Sequence, residues 1–109
     1  MGKLVRDKVP DLIRASGRRS RVTTLSEDSY RCALMDKLRE EVAELIAART
    51  RDSTLEEAAD VLEILAAIAS EQGATLDTIG EIARTKREQR GGFAMRLWLD
   101  TDDPGSVRS

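Results

Sequence analysis

Apolar residues recur at helical spacing through two long stretches of the chain. In the first, Leu34, Leu38, Val42 and Leu45 stand three or four apart and predict one buried face of a helix. In the second, Val61, Ile64, Leu65 and Ile68 do the same. Ser26 is a good cap for the first helix, with Glu27 and Asp28 well placed against its dipole, and the helix is expected to run to about Thr50. The turn RDST leads into the second, which Gly73 closes. Thr75 opens a third helix, TLDTIGEIARTKREQR, ending at Gly91-Gly92; Gly80 weakens it by about 1 kcal/mol relative to Ala. Ahead of these, Pro10 suits the first turn of a short helix, PDLIRAS, and Gly17 its stop. Near the end the period changes to two. In FAMRLWL, Phe93, Met95, Leu97 and Leu99 face one way and Ala94, Arg96 and Trp98 the other, which is a strand pattern. Its expected partner is β-prone Arg21 to Leu25, giving a small two-stranded ribbon beside a helical body.

The polar residues on the two long helices change the picture. Glu40, Glu41 and Glu44 lie on the first; Glu56, Glu57, Asp60 and Glu63 lie on the second. Glu57 is seven before Ile64 and eleven before Ile68, so it sits within the apolar face, and Asp60 sits at its edge. Glu41, three after Leu38 and four before Leu45, borders the first face, with Glu44 on the same side. A lone carboxylate at a helix–helix seam costs several kcal/mol or takes up a proton. The chain has no His. That disfavours iron or zinc and favours a hard cation with oxygen ligands, Mg²⁺ or Mn²⁺, bound between helices. The bland readings are specific too. Charged helix faces are ordinarily just solvated, and Thr54 with Glu57, or Ser53 with Glu56, fits a capping box.

Basic residues flank this region. Lys86 and Arg90, four apart near a helix end, are either dipole-stabilising cations or a phosphate clamp beside Gly91-Gly92. Lys3, Arg6 and Lys8 in the N-terminal arm carry the same ambiguity. Beside a metal site, the two groups together suggest a polyphosphate substrate. Cys32 reads as a packing residue, since no His can activate it, and Trp98 as packing against the bundle or stacking on a base.

Composition narrows the class. With 109 residues, 35% charged and 3% aromatic, the chain is expected to form one domain over residues 1–99 with an aliphatic helical core, followed by a polar, disordered tail at residues 100–109. Eighteen Lys and Arg against twenty Asp and Glu argue against binding a nucleic acid polymer. A single cysteine, no apolar run of membrane-spanning length and no signal-like start imply a cytoplasmic protein.

EEVAE followed by EAAD, together with the opening KLVRDKVPDLI and the closing KREQRGGF, resembles the MazG-like nucleotide pyrophosphohydrolases. The opening and closing segments resemble their small single-domain, phosphoribosyl-ATP pyrophosphohydrolase-like branch, and the resemblance covers roughly Lys3 to Leu99. The resemblance implies an all-α bundle completed by dimerisation, Mg²⁺ held by the acidic motifs, and cleavage of a nucleoside triphosphate between its α- and β-phosphates. It implies Glu41, Glu44, Glu57 and Asp60 as metal ligands, and Glu40 as a residue orienting water or metal. Lys86 and Arg90 would hold phosphates. Ala59 departs from the pattern, standing where many members have Gly before the Asp. The general base is expected at Glu40 or Glu41, because no His is available. Two rival functions remain open: phosphoribosyl-ATP hydrolysis in histidine biosynthesis, and a non-catalytic helical dimer whose carboxylates are surface or capping groups.

Overall fold

The computed structural model describes residues 2–100 and consists of four helices: α1 (Val9–Ala15), α2 (Glu27–Ala47), α3 (Arg51–Glu71) and α4 (Leu76–Arg90). The caps explain the boundaries. Ser26 accepts from the Ser29 amide at 3.2 Å and starts α2. For α3 the cap is Thr50, earlier than either expected capping box. The Ser53 amide donates to Thr50 Oγ1 at 3.1 Å, and the Thr50 amide donates to Ser53 Oγ at 3.2 Å. Capping therefore engages neither Glu56 nor Glu57. Thr75 and Thr78 form the same reciprocal pair at the start of α4. Gly73 and Gly91 leave α3 and α4 with φ of 71° and 80°, a region that glycine enters at no steric cost.

α2 and α3, joined by three residues, pack against each other as an antiparallel hairpin, and α4 packs more lightly on α3. Arg31 near the start of α2 reaches Glu71 at the end of α3, Nε to Oε1 3.4 Å, as the antiparallel arrangement requires. The seam holds Leu34 and Ile64, both buried, with Leu38, Val42, Leu45, Val61, Leu65 and Ile68 half-buried around them. Among the described residues the buried apolar side chains are Leu34, Ile64 and Ala69 alone.

The ribbon is not formed: no strand occurs among the described residues. Arg96 turns to a φ of 57°, and its amide donates to the Phe93 carbonyl at 3.1 Å. That turn breaks the alternation in the middle of FAMRLWL. Residues 18–25 are coil, so neither segment has a ladder, and an isolated two-stranded pair is marginal even when it forms. The expected tail lies almost wholly outside the described residues, from residue 101 onward. No helix among the described residues is long and apolar enough to cross a membrane.

Candidate active site

The α2–α3 hairpin brings the two acidic motifs face to face. Carboxylate oxygens of Glu41, Glu57 and Asp60, from both helices, all lie within 4.8 Å of one another. A second triad, Glu40, Glu41 and Glu44, comes from α2 alone and meets the same limit. Glu41 belongs to both, so it is the centre of the arrangement.

Glu41 is also the most enclosed charge, at 7% exposure. Its position four residues after Lys37 brings their side chains together, with Lys37 Nζ 3.3 Å from Glu41 Oε1 and 3.7 Å from Glu40 Oε2. Burial raises the Glu41 pKa above the usual carboxylate value; Lys37 opposes that and Glu44 adds to it. One oxygen thus has a cationic partner. The other, Oε2, is buried without a hydrogen bond, and so is Oε2 of Glu57 across the seam.

These orphaned oxygens bear on whether a cation fits. Ligands of an octahedral Mg²⁺ lie roughly 3–4 Å from one another, given metal–oxygen distances of about 2.0–2.1 Å. Three carboxylates from two helices, within 4.8 Å of one another and with two buried oxygens that make no hydrogen bond, suit a hard divalent cation. Without such a cation the same oxygens are desolvated at a cost.

Beside the cluster is a cavity of about 430 Å³. Glu41, Asp60 and Glu63 line its acidic side; Tyr30, Leu34, Ile64 and Ala67 line its apolar side. The N-terminal arm forms the remaining wall through Lys3, Leu4, Val5, Arg6, Asp7 and Val9. Arg6 Nη2 donates to Asp60 Oδ1 at 2.8 Å, and Nη1 stands 4.0 Å from Glu63 Oε1.

Of the residues expected from sequence, Glu40, Glu41, Glu44, Glu57 and Asp60 are therefore gathered at one seam, with Lys3 and Arg6 beside them. Lys8 caps α1, and Lys86 and Arg90 are exposed on α4; these three do not line the cavity. Sequence reasoning missed Lys37, Tyr30 and the contact between Arg6 and Glu63. The spacing of Lys37 to Glu40 and Glu41 is a readable ion-pair signal; Tyr30, on the turn before Leu34, carries no signal until the arm folds over it.

Residues 12–87 match the family described as phosphoribosyl-ATP pyrophosphohydrolase. An uncharacterized protein of Mycolicibacterium smegmatis is 62% identical over 56 residues, which cover 51% of this chain and 57% of that relative. The chain thus matches just over half the length of this curated relative. No solved structure matches it. The matched region spans both acidic helices and most of α4, and the chain belongs to the phosphoribosyl-ATP pyrophosphohydrolase family, within the MazG-like nucleotide pyrophosphohydrolase superfamily.

Proposed function

We propose that the protein is a Mg²⁺-dependent nucleotide pyrophosphohydrolase that cleaves a nucleoside triphosphate between its α- and β-phosphates. The observation that carries this reading is the convergence of Glu41, Glu57 and Asp60 from two helices, with two buried oxygens left unpaired. These three, with Glu44 adjacent, would hold the cation, and Mn²⁺ would serve in place of Mg²⁺. When bound, such a cation neutralises phosphate charge and acidifies a coordinated water.

The chain's own groups supply the rest. Glu40, on the exposed side of α2, takes the proton of the attacking water while Glu41 stays a ligand. The water oxygen bonds to phosphorus as the bridging P–O bond breaks, and pyrophosphate leaves with the electron pair. Arg6, Lys37 and Lys3 offset the growing charge at the cavity. Lys86 and Arg90 are assigned to the substrate's phosphates by their spacing and the family resemblance, and Lys8 by its place in the basic arm; none of the three lines the cavity. The apolar wall of Tyr30, Leu34 and Ile64 gives the nucleoside a surface to pack on.

A nucleotide panel with Mg²⁺, followed by phosphorus NMR, tests the reaction. Monophosphate and pyrophosphate are the expected products, and orthophosphate as first product would refute the α–β assignment. The family description favours a second reading, in which phosphoribosyl-ATP is the substrate. Including that compound in the panel separates the two, because the same bond is cut and only the nucleoside end differs.

The metal site has its own prediction. Mg²⁺ or Mn²⁺ raises the melting temperature by mass action, since only the folded hairpin brings the carboxylates together. Asp60→Asn abolishes that response and leaves the helical circular dichroism intact. An unchanged response in the variant removes Asp60 from the site; no response in the wild type points instead to a non-catalytic helical protein.

A further inference from the structure

Arg6 is engaged by a carboxylate that the proposed metal site also needs. Its Nη2 donates to Asp60 Oδ1 at 2.8 Å, while Asp60 is one of the three convergent oxygens of the seam. The arm that delivers the guanidinium is seated on the same cavity, which Leu4, Val5 and Val9 line together with Tyr30 and Ile64. Lys3 lines that cavity too, yet makes no ion pair among the described residues. The two arm cations that line the cavity therefore differ in standing, Arg6 fixed on a carboxylate and Lys3 not.

Resting on the metal-site reading above, we infer that Arg6 is a positioning residue that couples the two binding events. It holds Asp60 until a divalent cation arrives, then turns to the phosphate of the substrate. The pair is set on the solvent rim, with side-chain exposures of 60% and 41%, so it exchanges easily. A divalent cation binding the Asp60 carboxylate draws off the charge that Arg6 pairs with and repels the guanidinium. A phosphate, in contrast, matches the planar fork of Arg with two parallel hydrogen bonds, which a Lys cannot offer. Cation loading thus frees Arg6 at the moment a phosphate is needed, and favours cation before nucleotide.

Calorimetry with Mn²⁺ alone, then with pyrophosphate on the Mn²⁺-loaded protein, tests the coupling in the wild type, Arg6→Gln, Arg6→Lys and Lys3→Gln. Arg6→Gln binds Mn²⁺ about two- to five-fold more tightly than wild type, the scale of a released exposed ion pair. Lys3→Gln, which removes the same charge without a contact to Asp60, gains clearly less. Once loaded, Arg6→Gln binds pyrophosphate about tenfold more weakly, the scale of a lost charged hydrogen bond. Arg6→Lys restores the Mn²⁺ affinity of the wild type but only part of the pyrophosphate affinity. Equal Mn²⁺ affinities in wild type and Arg6→Gln would overturn the coupling while leaving the metal site standing. An equal gain in Lys3→Gln would reduce it to bulk charge, and undiminished pyrophosphate binding by Arg6→Gln would remove the handover. A wild type that takes up no Mn²⁺ would instead sink the metal-site reading, and the coupling with it. Arg6 lies outside the helices, so an unchanged helical spectrum checks that each variant is folded.

Discussion

Glu41→Gln loses about a hundredfold or more of turnover, because even residues that only support a metal ligand cost about 10–100-fold when removed. Glu41 stands in both carboxylate triads and is the most buried charge at the seam, so no neighbour can take its place. The same substitution acts oppositely on the metal-free protein. The folded-state pKa of Glu41 is raised, first by burial, with Glu44 adding to it and Lys37 opposing. A carboxylate of that kind favours the folded state below its unfolded pKa, and that contribution is lost as pH rises through the raised value. In the metal-free wild type this one contribution is lost across that window, and Glu41→Gln removes that loss, so the stability gap between variant and wild type widens as pH rises. At neutral pH the variant melts higher than the wild type without metal, and Mg²⁺ then reverses the order by stabilising the wild type alone. Turnover by pyrophosphate release and melting curves from mildly acid to neutral pH, with and without Mg²⁺, check both halves. A variant that keeps its turnover, or a metal-free stability difference between variant and wild type that does not grow as pH rises, contradicts the role given to Glu41.

The helices and the acidic seam were legible because they depend on local spacing. Ser26, Thr75, Gly73 and Gly91 mark helix ends by chemistry that acts over one turn. Glu57 could be placed within the apolar face by counting residues, since a helix fixes direction as well as position. The Thr50 cap was misread because Ser53, Thr54, Glu56 and Glu57 offered two other plausible boxes in the same turn. FAMRLWL failed for a different reason. Alternation says which side chains share a face but supplies no partner strand, and one positive φ at Arg96 is enough to bend the segment away. The contact of Arg6 with Asp60, 54 residues apart, depends on where a coil arm settles, which no periodicity reports.

A homodimer is the expected form in solution, and its loss is expected to unfold the protein. The described chain buries three apolar side chains, whereas Leu12, Ile46, Leu55, Leu62 and Ile82 stand exposed along the helices. Phe93 and Trp98, at 87% and 94% exposure, extend that apolar surface beyond α4. Ordering a hairpin costs conformational entropy that so small a buried core does little to offset, and a second copy would cover both the helix faces and the aromatic segment. Sedimentation at micromolar concentration is expected to give a dimer mass, and melting is expected to fall with dilution, because folding and association are then one equilibrium. A charge on the open face, Leu62→Asp, falls outside both carboxylate triads and is expected to raise the protein concentration at which the dimer half-dissociates and to lower the helical signal together. A monomer with a sharp, concentration-independent transition would show that these faces need no partner, and the half-buried seam around Leu34 and Ile64 would then have to hold the fold by itself.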